Sequence, residues 1–534
     1  MSFEDSKEGV VVKDKHADAD GAYVADTDAR SVYSRQEDSG QKLVRQMNGR
    51  QITMIAIGGV IGTGLFVGTA NALHNGGPLG MLLAYTIMGT VCFSVMISLG
   101  EMVAFMPFEG GHVRIAERVV EPAWGTTMGF FYCEHPCVIA VPAELSAAAV
   151  IFDYWTGSRI NNAVYITVTL VLVVFLNFLG ARWYGEAEFV FASIKIITII
   201  GLIVLGIVLD LGGGPNHERI GFRYWKNPGP FAHEGGESRA TGRFLGFVAC
   251  LNQAAFSFIG TETIAFCAGE TKDPQRTLPR AVRQVWIRII VFYVIGTFII
   301  GLLVPSNEPG LSLGASDARG SPFVLCNSIE DAGIKVLPSI INACLLTSAW
   351  SSASSDLYTS SRSIYGLARS GKIPAVFART SRSGLPYVAI GFAAVFGLLG
   401  YLAVSETAGK VFGWLASLVA MSGLMCWVGV SVTYIRFHRG LAHQGIDRAL
   451  LPYSSKFQPY AAWYALCACI FITLISGFTV FLRGHWDATT FVTNYLPAVL
   501  FPIIYLVSKV ALKSKLVRPE DMDFSAALVA LGDS

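Results

Sequence analysis

AIGGVIGTGLFVGTA, residues 56–70, places glycine at 58, 59, 62, 64 and 68 within a stretch otherwise as apolar as a membrane helix. Glycine costs roughly 1 kcal/mol against alanine inside a helix, so such a cluster requires a cause. Three are available: a phosphate cradle, a face for close helix packing, or a helix built to break. Gly62, Gly64 and Gly68 form G-x-G-x-x-x-G, which approaches a dinucleotide fingerprint. That fingerprint needs a preceding strand, a βαβ unit and a later acidic residue. Here apolar spans flank the glycines and no G-K-[ST] follows, so the cradle is set aside. Gly58/Gly62 and Gly64/Gly68 are both G-xxx-G pairs, which let membrane helices approach closely. An unwound segment is the third option, and its free amides and carbonyls would have to line a polar cavity.

The rest of the chain sets the context. Of 534 residues, 53% are hydrophobic and only 15% are charged, against about 25% charged in ordinary soluble domains. Apolar runs of 18 or more residues recur after residue 50, which marks an all-α integral membrane protein. A formal net charge of +2 excludes nothing about partners, and no basic stripe suggests nucleic acid. Most cysteines lie inside apolar runs and read as small core residues rather than a disulfide framework; Cys326 falls in a polar connection. Residues 1–46 are polar, mixed in charge and aperiodic, as expected of a disordered cytoplasmic tail. No apolar h-region opens the chain, so the first span is expected to serve as the insertion signal.

Twelve spans are expected, at approximately 52–73, 79–106, 124–152, 160–180, 187–209, 244–269, 285–304, 335–361, 386–404, 411–435, 461–482 and 488–510. They define a permease-like domain at 47–512, followed by a cytoplasmic C-terminal tail at 513–534. Lys and Arg collect in alternate connections, and the short opposite loops hold only Arg159, Lys410 and Arg483. The positive-inside rule then places both termini in the cytoplasm. No N-x-[ST] acceptor occurs in an outer loop. The sixth span, FVACLNQAAFSFIGTETIAFCAGE, is interrupted like the first, with Gly260 between Ser257 and the pair Thr261 and Thr263. Breaks in the first members of two five-helix halves are the sequence mark of a secondary transporter's binding site. An odd number of helices per half forces the halves to be inverted. A half-helix N-terminus offers N–H groups to a carboxylate, and the carbonyls of a second broken helix suit an ammonium. Together they fit a zwitterion.

At this point the chain resembles a known family. RQITMIAIGGVIGTGLFVGTANAL at 50–73, PAEL at 142–145, YGEAEFVFASIKIITIIGLIVLGIVLDLGGGP at 184–215 and AFSFIGTETIAFCAGETKDPQRTLPRAV at 255–282 are similar to the fungal amino-acid permeases. These belong to the amino acid–polyamine–organocation superfamily. YTSSRSIYGLARSGKIP at 358–374, TYIRFHRGLAHQGIDRALLPY at 433–453 and FVTNYLP at 491–497 extend the likeness almost to the C-terminus. The resemblance implies a LeuT-like five-plus-five inverted repeat with broken helices 1 and 6 and two additional helices. It also implies proton-driven symport of amino acids. Carried onto this chain, Gly62, Thr63 and Gly64 supply donors to the substrate carboxylate, and Phe256, Ser257 and Ile259 offer carbonyls to its ammonium. Phe256 and Phe258 would close over the side chain as an aromatic gate.

Ionisable residues inside spans are costly and mark function. Lys195, in the middle of FASIKIITII, is the sharpest case. The resemblance places it against the first broken helix, where sodium-coupled relatives of the fold hold a cation, and a coupling role is expected over snorkelling to an interface. Glu144 faces the site in the family pattern, either as a proton acceptor or as a contact to a polar substrate side chain; hydrogen bonding to another helix is the structural alternative. Glu262 sits centrally in the broken sixth span, where it transfers a proton or bridges unwound backbone. Glu101 and Glu270 are expected at span ends, Asp356 pairs with a neighbouring helix, and Glu186 and Glu188 stand at a span entrance. Residues 130–141, FFYCEHPCVIAV, depart from the family, which shows a run rich in Trp, Tyr and Asn there. Cys133, Glu134, His135 and Cys137 do not have zinc spacing, so a reshaped pocket is expected rather than a metal, with His135 a titratable option.

No cofactor is expected, and no enzyme motif such as H-E-x-x-H or G-x-S-x-G is present. The expected function is a plasma-membrane permease for L-amino acids, with a broad neutral range as the default and protons and lipids as partners. A nutrient sensor on the same fold is the alternative. Lys7, Lys13, Lys15 and Lys42 are candidate sites for ubiquitin ligase machinery or simply solvated lysines.

Overall fold

Hydrocarbon offers no partner to backbone N–H and C=O groups, so a long apolar run satisfies them internally as a helix. The computed structural model describes residues 47–528 apart from 60, 109, 158, 215–216, 233–238, 268–270, 273, 309–310, 312–335, 483 and 526. The expected tail 1–46, Glu270 and Cys326 lie outside these residues. Among the described residues regular structure is helical, and the one β-type pairing is an isolated bridge between Met47 and Thr271.

The first apolar run begins with α1, Gly49–Met54, continues as a π turn over Ile55–Gly59, and resumes at Gly64–Gly68 before α2, Thr69–Phe105. Within α2 the chain turns at Gly77, whose φ of 73° is left-handed and is followed by Pro78. A Cβ at Gly77 would also lie 2.6 Å from the Ala232 amide nitrogen, so only glycine serves at this turn. Next come the short α3 (Gly111–Val119), then α4 (Pro122–Glu134) joined through a π turn at His135–Ala140 to α5 (Val141–Thr156). They are followed by α6 (Asn162–Phe178), α7 (Ala181–Asp210), α8 (Arg239–Phe258), α9 (Thr263–Cys267), α10 (Pro274–Arg288) and α11 (Gly296–Leu303). The chain ends with α12 (Leu337–Arg369), α13 (Tyr387–Phe396), α14 (Ala408–His443), α15 (Tyr460–Ser476) and α16 (Ala488–Leu512).

Among the described residues eight helical runs are long and apolar enough to cross a membrane; α6 and α15 are apolar but shorter. The long α12 falls outside that set because its middle, SAWSSASSDLYTSS, is polar. Its serines are buried, not solvated: Ser348, Ser351, Ser354, Ser360 and Ser361 have almost no exposed surface. A helix that is polar inside the bundle and packs on α5, α6 and α7 lines something other than lipid.

Over its described residues, the stretch after α16, the expected C-terminal tail, packs back onto the helices. Val517 donates its N–H to the Val120 carbonyl at 2.9 Å, Gln444 donates to the Met522 carbonyl at 2.7 Å, and Phe524 sits edge-on against Phe437, buried. The span read as 187–209 starts earlier, at Ala181, which carries Glu188 two turns into the helix instead of at its entrance. Glu186 stays near the surface, in an ion pair with Arg50 at 2.6 Å.

Candidate functional site

The two interruptions meet. A Cβ on Gly64 would lie 2.7 Å from Ser257 Cα, so the restart of the first helix presses directly on the end of α8. A Cβ on Gly62 would lie 2.6 Å from Ser352 Oγ and 3.0 Å from Glu144 Oε1. Only glycine lets α5, α8 and α12 close on the break this tightly. Gly58 serves a different approach, since its Cβ would fall 2.4 Å from Ala192 Cβ on α7; here the glycine is a packing device.

Helix geometry leaves the first N–H groups of the Gly64–Gly68 turn without an intrahelical acceptor. The corresponding carbonyls at the end of α8 are partly used. Ser257 O accepts from the Tyr293 hydroxyl at 2.9 Å, and Phe258 O accepts from Thr261 Oγ1 at 2.6 Å. Each keeps one free lone pair. Gly260, at φ 94°, turns the chain between α8 and α9, and Glu262 Oε2 accepts the Gly260 N–H at 3.2 Å. Glu262 therefore bridges the unwound backbone from its own side.

A cavity opens where the breaks meet, lined by Gly62, Gly64, Glu144, Phe256, Ser257 and Ile259 among the expected residues, with Gly260 beside them. His135, Ser352, Asp356 and Val419 complete much of the wall. Thr63 is fully buried at the break, with its hydroxyl unpartnered. Phe258 does not join the cavity. It stacks on Tyr293 with ring centres 4.2 Å apart and lies beside Tyr85. Two residues along a helix turns a side chain by about 200°, so Phe256 and Phe258 cannot close over one substrate together. Phe256 does face the cavity, and its ring meets Phe412 edge-on.

Lys195 does not line the cavity but stands behind the first break, fully buried. Its Nζ donates to the Gly58 carbonyl at 3.2 Å and to Ser351 Oγ at 2.7 Å, with Glu188 Oε1 at 3.8 Å. Ser351 in turn donates to Glu188 Oε2 at 2.6 Å. Glu188, expected at an entrance, is thus the counter-charge of the lysine. Positions 188, 192 and 195 follow i, i+4, i+7 spacing, which puts them on one helix face; that pattern was the available signal.

Arg288 of α10 was not anticipated. It is fully buried, donates to the Ala56 carbonyl at 2.9 Å and to Thr261 Oγ1 at 2.6 Å, and so ties the first break to the second. Both buried cations hold carbonyls at the C-terminal end of the first half-helix, the negative pole of its dipole. Around residues 133–137, Cys137 Sγ contacts the Ala393 carbonyl at 3.6 Å and Glu134 accepts from Ser422 at 2.9 Å, while His135 lines the cavity. These side chains address different neighbours.

Comparison with known proteins locates the chain. The family model for amino acid permeases matches residues 51–518. A dicarboxylic amino acid permease of Saccharomyces cerevisiae is 40% identical over 496 residues, covering 91% of this chain and 80% of the yeast protein. The proline-specific permease of the same yeast is 39% identical over 502 residues, covering 91% and 78%. Its lysine-specific permease is 36% identical over 533 residues, covering 96% and 86%.

Proposed function

The chain belongs to the amino acid permease family, and from that premise we propose that it moves L-amino acids into the cell by proton-coupled symport with alternating access. It is a multi-pass membrane transporter and not an enzyme. The observation that carries the finer reading is the meeting of two broken helices at Gly64 and Ser257, with a fully buried lysine behind one of them. Substrate carboxylate would sit on the amides of Gly62, Thr63 and Gly64, and substrate ammonium on free carbonyl lone pairs of Phe256, Ser257 and Ile259. Phe256 would cover the side chain.

Coupling would run through Lys195, with Glu144 and Glu262 as further proton carriers. A protonated Lys195 holds the Gly58 carbonyl; loss of the proton removes one of its donors and frees the first half-helix to shift. Differential contact of proton and substrate with the two states is what a coupled cycle requires. Twelve spans in a five-plus-five inverted repeat, a plasma-membrane location with both termini in the cytoplasm, and tail lysines open to ubiquitin ligase machinery complete the proposal. The broad neutral range receives no support from the relatives, whose names cover dicarboxylic amino acids, proline and lysine.

The test is uptake of radiolabelled amino acids in a transport-deficient yeast at pH 5 and pH 7, with and without an uncoupler. Accumulation that collapses with the uncoupler is expected. Uptake indifferent to both would overturn proton symport, and binding without uptake would identify a sensor on the same fold.

A further inference from the structure

The cavity wall carries two carboxylates, Glu144 and Asp356, and among the described residues no lysine or arginine lines it. The buried cation nearest in role, Lys195, is turned to Gly58, Ser351 and Glu188 instead. Glu144 is only 4% exposed and its Oε2 lacks a hydrogen-bond partner; His135, also 4% exposed, has an unpartnered Nδ1. Both line the cavity. Buried polar atoms without partners are rare in native folds, and two buried carboxylates that share with Glu188 the charge of one lysine, itself bonded away from the cavity, carry a large desolvation cost. The wall is therefore incomplete until something enters it.

The charges of an α-amino acid are already accounted for by the two breaks. Glu144 stands against Gly62, on the side where the substrate carboxylate would lie. Asp356 is one helical turn beyond Ser352 on α12, so the two share a face, and it lines the cavity together with Gly260. That leaves Asp356 unused by the zwitterion. We propose that Asp356 is a specificity-determining residue that receives a cationic substrate side chain, an ammonium or a guanidinium, and that the cavity discriminates against a side-chain carboxylate. The attraction supplies a positive charge at the wall itself, where among the described residues no lysine or arginine stands, while an acidic side chain would meet two carboxylates there. This inference rests on the reading of the cavity as an amino-acid transport site.

Uptake of L-lysine, L-arginine, L-leucine and L-glutamate is measured side by side for the wild type, Asp356→Asn and Asp356→Glu, with surface abundance followed by a fluorescent tag. In the wild type, unlabelled lysine or arginine should compete with labelled substrate at concentrations at least tenfold below those needed for glutamate. The uptake-efficiency ratio of lysine to leucine should fall at least tenfold in Asp356→Asn and return toward the wild-type value in Asp356→Glu. Glutamate or leucine competing as well as lysine in the wild type overturns the proposal, whether or not the variants reach the surface. An unchanged ratio in Asp356→Asn does the same. Absence of any amino-acid uptake by wild-type protein at the surface overturns the transport reading itself, and this inference with it.

Discussion

Lys195 on α7 reaches 3.2 Å to the carbonyl of Gly58, one residue before the π turn at the first break ends. The lysine and the glycine are separated by 137 positions in the chain, and the close passage of Ala192 over Gly58 is what brings them together. If this bond is the coupling element, Lys195→Ala should reduce accumulation more than tenfold while the protein still reaches the surface. Near-normal accumulation would refute the role. Removing one member of a buried pair also leaves an uncompensated charge, at about 3–5 kcal/mol. The double variant Lys195→Ala with Glu188→Ala should therefore recover thermal stability in detergent without recovering accumulation, which separates the structural part of the lysine's role from the coupling part.

Arg288 offers a second test of the same region. Its guanidinium holds the Ala56 carbonyl and the Thr261 hydroxyl, so one side chain fixes the relative position of the two breaks. Arg288→Met keeps length and loses both bonds. Hydrogen bonds from charged groups contribute about 1.5–3 kcal/mol each, and the variant should show a lower thermal midpoint together with at least tenfold weaker uptake. Arg288→Lys, with a compact ammonium in place of the planar fork, should recover only part of either. Full activity in Arg288→Met would show that the breaks hold their positions without it.

How much of this was legible in the chain differs by element. The all-helical character, most of the apolar runs and the two breaks were, because apolar length and clustered glycines are direct consequences of what lipid and unwound backbone demand. Glu188 was misplaced because a span boundary read too late put it at the entrance, although its spacing from Lys195 pointed to a shared face. Arg288 was missed for a related reason: a cation four residues into an expected span reads as snorkelling to the interface, and nothing local indicates that Ala56 and Thr261 wait for it. Phe258 was expected at the cavity from the family resemblance, but two residues along α8 from Phe256 its ring turns to Tyr293 and Tyr85 instead. Asp356 was expected to pair with a neighbouring helix, and only the assembled wall shows it facing the cavity with Glu144.

The contact between the breaks can be tested sterically. Gly64→Ala would place a methyl group 2.7 Å from Ser257 Cα, a backbone atom that cannot turn aside. Uptake should fall at least tenfold, with little surface protein lost, because the strain lies at the cavity and the surrounding helices keep their contacts. The same exchange at Gly201 meets nothing within 4 Å and should be neutral or slightly stabilising through helix propensity. Equal effects at the two positions, read as uptake per surface molecule, would remove the argument for a close approach.

His112 on the connecting helix α3 supplies a prediction in pH. Its ring is buried, edge-on to Tyr132 at 4.5 Å and to Phe266 at 5.2 Å, and neither nitrogen has a hydrogen-bond partner. Burial pushes the imidazole down to about 3, from the ordinary value of about 6.5. The unfolded chain therefore takes up a proton that the folded chain refuses. Stability present above pH 6.5 is lost as pH falls through the window from about 6.5 toward 3, at about 1.4 kcal/mol per pH unit. Thermal midpoints of detergent-solubilised protein should drop between pH 6.5 and pH 4.5, and His112→Phe, which keeps the aromatic contacts without a titrating nitrogen, should drop by less. Carboxylates titrate in the same range in both proteins, so the difference between the two slopes is the quantity that reports on His112. Parallel slopes would mean that the buried ring accepts its proton as readily folded as unfolded, which its apolar surroundings argue against.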